Sequence, residues 1–316
     1  YGRLYYNFHW SQLHADSAPP NTLTRNPNFT PTLSANATVS TDQLVYPIRM
    51  NTAINRGYRE GVLDEEGKLK RFASACSPWI YRGGVFPDTF NGNAFVCAPA
   101  ANTIKRNLIS DHGLTVSGIN AYPDRDFLAS TDERFRPVSL SGGPDGSLYV
   151  VDMYRGVIQQ ADFMTEFLRK ESIDRELAAP INLGRIYRIK STENAAHTIP
   201  EFASLTPTDW VELLKHPNGW VRDRAQQWLV WKSPSEAIAS LKKLALEGPT
   251  ATSLHALWTL DGMGVDTYTV STTLIADSHQ KLAATAMLTA ARSANTHDRI
   301  HELVTNPLAE SPNVAL

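Results

Sequence analysis

The sequence predicts β-propeller blades, an all-β structure, followed by an α-helical solenoid of HEAT-like repeats. Residues 1–190 contain short apolar runs separated by Gly, Pro and Asn. Many short strands between regular turns are typical of a sandwich, a barrel or a propeller. Residues 206–316 instead place apolar side chains at helical spacing. Residues 191–205 are interpreted as a linker between these two domains.

The strand pattern is clearest at residues 144–151. Pro144 presets φ for a turn and Gly146 accepts a positive φ, so Pro-Asp-Gly predicts a tight turn. The segment 147–151 that follows has two apolar faces, which suits a strand covered on both sides. Residues 159–180 carry Phe and Leu among charged residues and predict a helical insertion before the last strand.

Two segments of the second domain carry helix-start signals. Thr206 is a candidate N-cap, followed by Pro at the first helical position and by Asp209. The segment 233–236, Ser-Pro-Ser-Glu, has the same form and completes a capping box. A related pattern recurs at residues 216–222, 253–257 and 277–283. Such repetition indicates stacked helix pairs, and a compact helical domain is the alternative.

Composition excludes two classes of partner. The chain has 42% hydrophobic and 20% charged residues and a net charge of −2, so no basic excess indicates nucleic acid. No apolar stretch approaches the roughly 18 residues that a membrane helix needs. The chain starts at Tyr1 without Met and stops inside a helical pattern at Leu316, so we expect a fragment of a larger protein.

Cys76 and Cys97 are the two cysteines. Each lies in an apolar stretch, and the residues between them are turn formers, which predicts two antiparallel neighbouring strands. That pairing would bring the two Cβ atoms close to disulfide range, so we predict a disulfide and with it an oxidising compartment. Two buried free thiols are the alternative.

Strong catalytic signatures are absent from the sequence. There is no Gly-x-Gly-x-x-Gly, phosphate loop, His-Glu-x-x-His, Gly-x-Ser-x-Gly or Cys-x-x-Cys-His motif. His9 and His14 lie five residues apart in an aromatic stretch, but a surface or core role is the more frequent one for such residues. The sequence therefore assigns no catalytic residue and no metal site.

Residues 130–156 hold the candidate binding residues. Arg134 and Arg136 flank Phe135 in a segment expected to be extended, which would project both guanidinium groups to one side. Paired arginine forks suit carboxylates and other anionic oxygens. The alternative is that both arginines bridge to acidic neighbours. The candidate pocket around this pair comprises Asp132, Asp152, Tyr154 and Arg155.

The same stretch resembles a known family. Arg-Phe-Arg-Pro-Val (134–138), Gly-Pro-Asp-Gly-Ser-Leu-Tyr-Val-Val-Asp (143–152) and Gly-Arg-Ile-Tyr-Arg-Ile (184–189) resemble the last blades of soluble pyrroloquinoline-quinone sugar and sorbosone dehydrogenases. With Asp-Met-Tyr-Arg-Gly-Val-Ile-Gln (152–159) and the helices behind it, the chain also resembles a subgroup, the large exported "membrane-bound dehydrogenase domain" proteins of planctomycetes and their relatives.

The resemblance implies a periplasmic or secreted oxidoreductase acting on a sugar or alcohol. Arg134 and Arg136 match the arginines that reach the quinone, whereas Ala100 stands where the sugar dehydrogenases have a lysine. The histidine base and the calcium-binding segment of that family would precede Tyr1, and electrons would pass to a haem c domain outside this chain. The alternative is a non-catalytic scaffold that binds glycans or proteins, with a protein partner on the HEAT-like array.

Overall fold

The computed structural model corrects the predicted fold class. It describes residues 4–7, 36–112, 116–276, 279–294 and 296–305. Strand makes up 19% of the structure and helix about 37%, and within the described ranges no closed propeller and no solenoid is found. The prediction of propeller blades followed by a HEAT-like solenoid is therefore wrong. A propeller needs several four-stranded blades around a channel, and here the strands form sheets of two, three and five.

The larger sheet is antiparallel, in the order β3-β4-β5-β6, with β7 paired to β5 at its side. Its strands are β3 (Cys76–Ile80), β4 (Ala94–Ala98), β5 (Thr103–Asp111), β6 (Val116–Asn120) and β7 (Leu128–Ala129). Strand β4 is buried along its whole length because it lies between β3 and β5 and is covered on both faces. This central position fixes what surrounds Cys97 and the turn after it.

The smaller sheet is also antiparallel, in the order β8-β9-β10. Its strands are β8 (Pro137–Gly142), β9 (Leu148–Asp152) and β10 (Arg185–Ile189), while β1 (Leu4–Asn7) pairs with β2 (Asn36–Ser40) in a separate ribbon. Gly146, two residues before β9, has φ of 83°, so the predicted turn and strand are confirmed. The helical insertion predicted within 159–180 is confirmed as α1 (Glu166–Asp174).

Tyr81 joins the two sheets. Its ring is fully buried, stacks on Phe86 and packs in one core with residues of both sheets. Its hydroxyl donates to the Gly146 carbonyl oxygen at 2.8 Å and accepts from the backbone N–H groups of Val85 and Phe86. A buried hydroxyl with all its partners present fixes the turn before β9 against the end of β3.

The second half consists of helices that share one apolar core. They are α2 (Pro207–Leu213), α3 (Gly219–Lys232), α4 (Ile238–Glu247), α5 (Thr250–Gly262), α6 (Tyr268–Leu274), α7 (Gln280–Ser293) and α8 (His297–Thr305). A single core from Phe202 to Ala294 matches the compact helical alternative to a solenoid. No helix in the described ranges is long and apolar enough to cross a membrane.

The two expected helix starts have different outcomes. Thr206 and Asp209 form a complete capping box, with each side chain accepting from the other residue's backbone N–H. Ser233 does not begin a helix; it ends α3 with φ of 46°, and Pro234 precedes the next short helix without a side-chain cap. The capping prediction at 233–236 is therefore wrong, because the same polar residue can stop one helix just before another starts.

Direct hydrogen bonds join the sheets to the helices. The backbone N–H of Gly219 donates to the Arg82 carbonyl oxygen at 2.7 Å, and the Arg82 guanidinium binds both oxygens of Asp223 at 3.2 and 2.5 Å. Asn218, the N-cap of α3, donates to the Gly143 carbonyl oxygen at 3.0 Å. The N-terminal end of α3 is thus anchored to turns of both sheets.

Candidate functional site

Arg136 lies just before β8, and its side chain is directed into the protein. It is only 4% exposed. Its Nε donates to the Arg155 carbonyl oxygen at 2.9 Å, Nη1 to that of Pro99 at 2.8 Å and Nη2 to that of Gly156 at 2.7 Å. Burial lowers the pKa of Arg136 to about 10. The guanidinium of Arg136 therefore binds two main-chain segments, at Pro99 and at Arg155–Gly156, instead of presenting a free fork to a ligand.

Arg134 is not in an extended segment. Its backbone N–H donates to Asp132 Oδ1 at 2.9 Å, and a turn is closed by the N–H of Phe135 on the Asp132 carbonyl oxygen at 3.1 Å. Its Nη2 donates to the carbonyl oxygens of Glu176 and Ala179 at 2.9 and 3.0 Å. The local turn forms because an Asp side chain competes for nearby backbone N–H groups. The two arginines consequently share no partner.

The acidic neighbours do not pair with the two guanidinium groups. Asp152 is fully buried, and its Oδ1 accepts from the backbone N–H groups of Arg136 and Tyr154 at 2.7 and 2.8 Å. Its Oδ2 is buried with no hydrogen-bond partner in the described part of the chain. Tyr154, with φ of 47°, presents its ring to Arg185, whose guanidinium carbon lies 3.6 Å from the ring centroid. Asp152 thus organises backbone instead of neutralising the arginines.

Glu133 is a charged centre that the sequence did not single out. Its Oε2 lies 3.0 Å from Arg49 and 2.6 Å from Arg175, and all three side chains are largely buried. Arg175 also donates to Thr52 Oγ1 at 2.6 Å. A second carboxylate, that of Glu171, lies 3.8 Å from Arg175, so two carboxylates face the two guanidinium groups beside Arg136. The sequence offered one signal, the position of Glu133 next to Arg134. The ion pair itself could not be read from the sequence, because Arg49 lies more than eighty residues away.

Cys76 and Cys97 are opposite each other in the register of β3 and β4. The predicted strand pairing is therefore confirmed, and both side chains are free thiols in this structure. A hydrogen bond between the thiols lowers the pKa of Cys76, whereas the same contact and burial raise the pKa of Cys97. Directly opposed residues have Cβ atoms about 4.5–5.5 Å apart, close to disulfide distance. The disulfide itself stays a prediction.

An inner cavity of about 460 Å³ adjoins these residues. Arg136, Cys76 and Ala100 line it together with mostly apolar side chains. Ala100, which stands where the resembling dehydrogenases have lysine, therefore does face a cavity. A single buried cation in a mainly apolar space is compatible with a small organic ligand, although the donors of Arg136 are occupied by carbonyl oxygens.

A larger arginine cavity lies beside the inner one. Its volume is about 780 Å³, and the two cavities share Asn55, Ala73 and Gln159 in their walls. Its remaining lining residues are Arg56, Tyr58, Arg59, Gly61, Val62, Leu69, Arg71, Phe72, Phe163 and Thr165. Three arginines and three aromatic rings therefore surround one space. Among the residues that the structure describes, no Asp or Glu lines it.

The guanidinium groups of Arg56, Arg59 and Arg71 are unpaired. All three side chains are exposed, and none forms a hydrogen bond or ion pair with any residue in the described ranges. Arg56 has φ of 77°, a left-handed conformation that non-glycine residues rarely adopt. Strained backbone of this kind persists where the surrounding structure imposes it, and it concentrates at ligand-binding sites.

One family model matches the sequence, "Domain of unknown function (DUF7133)", over residues 1–193. This chain belongs to the DUF7133 family. The match covers all three sheets and both cavities and ends before α2, so the helical half lies outside it. No curated protein and no solved structure matches the chain.

Lys105 is a second residue of the DUF7133 region that the sequence did not reveal. It is fully buried on β5, donates to the Leu44 carbonyl oxygen at 2.7 Å and lies 3.1 Å from Asp42. Its Nζ is 6.0 Å from the centroid of the Phe72 ring, which also lines the arginine cavity. This ion pair holds the segment after β2 against the larger sheet and thereby supports one wall of the cavity.

No metal centre emerges in the described ranges. No group of three or more His, Cys, Asp or Glu side chains there could hold a metal ion. His9 and His14 lie outside the described residues, as does the whole segment 8–35.

Proposed function

We propose that this DUF7133 chain binds a small, planar polyanion in the arginine cavity. The observation that carries the proposal is the set of three unpaired guanidinium groups around one cavity without a described acidic residue in its wall. Its volume of about 780 Å³ lies within the roughly 300–1,000 Å³ of small-molecule sites. Anionic oxygens would supply the charge that the cavity wall lacks.

The chemistry of the wall favours a flat ligand over a globular one. Tyr58, Phe72 and Phe163 offer ring faces or edges, and an arginine fork binds a carboxylate in a planar, two-bond arrangement. Polar groups at Asn55, Gln159 and Thr165 complement the arginines, although Thr165 Oγ1 already donates to Asn55 Oδ1 at 3.1 Å. The site thus combines charge recognition with an aromatic surface.

A second candidate is the quinoprotein dehydrogenase that the sequence resembles. Pyrroloquinoline quinone is a planar polycarboxylate, and it fits the arginine cavity in charge and shape class. Arg136 does not fit the role that the resemblance gives it, because carbonyl oxygens accept from all three of its guanidinium nitrogens. Arg134 does not form a pair with it, because its Nη2 donates to the carbonyl oxygens of Glu176 and Ala179, although its buried Nε has no partner among the described residues. The cofactor would instead depend on Arg56, Arg59 and Arg71. The resemblance itself leaves the base and the calcium segment outside this chain, so the residues in hand carry no catalytic step.

Calorimetric titration tests the binding function. Pyrroloquinoline quinone is titrated into wild-type chain and into Arg59→Gln and Arg71→Gln variants at low salt, with Arg125→Gln as the control. Loss of one charge-assisted contact is expected to weaken binding roughly 10- to 100-fold. Arg125 is exposed and lies against Tyr122, away from the cavity, so its variant should bind like wild type. Equal affinity of all four proteins, or no binding, contradicts the proposal.

Titration with citrate separates the two candidate functions. Citrate binding with similar dependence on Arg59 supports a general polyanion site, whereas preference for the quinone polycarboxylate favours the dehydrogenase. For the latter, the full-length protein loaded with quinone and calcium is offered sugars and a dye acceptor. Absence of dye reduction by a quinone-loaded protein argues against the enzyme and leaves the binding function standing.

A further inference from the structure

A separate junction cavity lies where the sheets meet the helices. Its volume is about 540 Å³, and its walls come from the segment after β3 and from α3, α5 and α7. Three basic side chains line it, Arg82, Arg222 and Lys281, together with His255 and Trp258. It shares no lining residue with the arginine cavity. Within the described part of the chain, no Asp or Glu lines it.

Two of the three cations already have counter-ions. Arg82 binds Asp223 through two hydrogen bonds, and Lys281 pairs with Asp111. Arg222 is the third cation, and it forms no such ion pair within the described part of the chain. Arg82 lies in the segment after β3 and Lys281 at the start of α7, so these two cations come from different elements of the wall.

Arg222 is a cation without an ionic hydrogen-bond partner. Its Nη1 donates to the carbonyl oxygens of His216 and Pro217 at 2.6 and 2.9 Å. Its Nε is buried and has no hydrogen-bond partner among the residues described. Burial and repulsion from Arg82 lower the pKa of Arg222. An orphaned buried donor on a cation marks a position where an anionic acceptor would be stabilised.

His255 lines the cavity from α5 and is neutral. Its Nδ1 is 2.7 Å from Gln226 Oε1, and because an amide oxygen only accepts, Nδ1 carries the proton. Burial and the nearby Arg222 lower the pKa of His255 to about 4. Its Nε2 lies 3.9 Å from Asp223. The imidazole therefore adds no charge at neutral pH but can gain a proton when an anion arrives.

We propose that the junction cavity binds a small ligand with a carboxylate or phosphate group on a compact aromatic body. The oxyanion lies against Arg222, and the body lies on the indole of Trp258. Since the walls come from both halves of the chain, a bound ligand would contact the segment after β3 and the helices together. This function is independent of the polyanion site in the DUF7133 region.

Phenyl phosphate and benzoate are the probes, with inorganic phosphate as the probe without a ring. Calorimetry on the whole chain compares wild type with Arg222→Gln and with Arg224→Gln, a matched change on the same helix outside the cavity. We expect a roughly 10- to 100-fold loss for Arg222→Gln and no change for Arg224→Gln. Phosphate alone should bind more weakly than phenyl phosphate. Equal binding by both variants, or none by wild type, overturns the proposal.

A second variant guards against misfolding of Arg222→Gln. Ala284→Phe fills the cavity from α7 without changing its charge, and it should abolish probe binding while circular dichroism stays native. Proton magnetic resonance supplies a further readout, since a bound anion should raise the pKa of His255. An Ala284→Phe protein that binds phenyl phosphate like wild type shows that the probe binds elsewhere and refutes the site. Arg59→Gln should leave this binding unchanged, which separates the two cavities.

Discussion

Two sets of arginines in the DUF7133 region differ in their sequence context and in what their guanidinium groups bind. Arg134 and Arg136 lie in a recognisable motif, yet backbone carbonyl oxygens accept from Nη2 of Arg134 and from all three guanidinium nitrogens of Arg136. Arg56, Arg59 and Arg71 lie in an irregular segment without a motif, and their guanidinium groups are unpaired within the described ranges. A motif thus shows where an arginine is, whereas only the tertiary structure shows what its donors bind.

Removing Arg136 should have the largest effect on stability. Arg136→Met leaves the carbonyl oxygens of Pro99, Arg155 and Gly156 without their donors, so we expect a loss of about 4 kcal/mol in the free energy of unfolding. Arg59→Met should change it by less than about 0.5 kcal/mol, as an exposed substitution. Urea unfolding of both variants measures the difference. Similar losses in the two proteins would show that the contrast between the arginine sets is wrong.

Thiol labelling tests whether Cys76, which lines the inner cavity together with Arg136, is cross-linked to Cys97. We predict that Cys76 and Cys97 resist thiol labelling until a reductant is added, and that reduction lowers stability by about 3 kcal/mol. Mass spectrometry of labelled, unfolded protein with and without reductant provides the measurement. Immediate labelling of both residues in the unreduced, unfolded chain would establish that they are thiols and would remove the argument for an oxidising compartment.

Acid should act mainly on the helical half, through His255. The pKa of His255 is about 4, below the ordinary value of 6.5. Burial is the largest cause, followed by the positive charge of Arg222; Arg82 lowers the pKa further, and Asp223 acts in the opposite direction. Between these values the unfolded chain binds a proton that the folded chain does not, so stability falls as pH drops from about 6.5 toward 4. Partial exposure limits the effect to at most about 2 kcal/mol.

His255→Gln is the matched test of this acid sensitivity. Glutamine can still donate to Gln226 but does not titrate, so the slope of stability against pH should flatten in that window. His112→Gln serves as the control, since His112 is exposed and contacts Ser117. Unfolding midpoints at several pH values give the slopes. An unchanged slope in His255→Gln would place the acid sensitivity on another group.

Local features of the fold could be predicted, and the architecture could not. The turn at Gly146, the pairing of Cys76 with Cys97 and the capping box at Thr206 follow from local backbone preferences, and the structure confirms them. The propeller and the solenoid were wrong because alternation of apolar residues fixes the faces of a strand or helix but not the way in which sheets or helices close. Local pattern determines elements, and long-range contacts determine assembly.

The candidate site shows the same limit. The motif drew attention to Arg134 and Arg136, and Arg136 does line a cavity. The arginine cavity could not be foreseen, because Arg56 and Arg59 meet Phe163 only after α1 folds against a segment more than ninety residues earlier. The role of Glu133 could not be predicted either, because it depends on ion pairs with Arg49 and Arg175. Charge pairing across such separations is set by packing.

The bonds between Arg82, Asn218 and the start of α3 have a mechanical consequence. Gly219 and Asp223 form hydrogen bonds with Arg82, and Asn218 forms one with Gly143. These contacts hold the helices to the sheets, so the association depends little on the peptide that links them. A protease that nicked the exposed stretch around Glu193 would therefore leave the two pieces associated, as a non-covalent complementation pair.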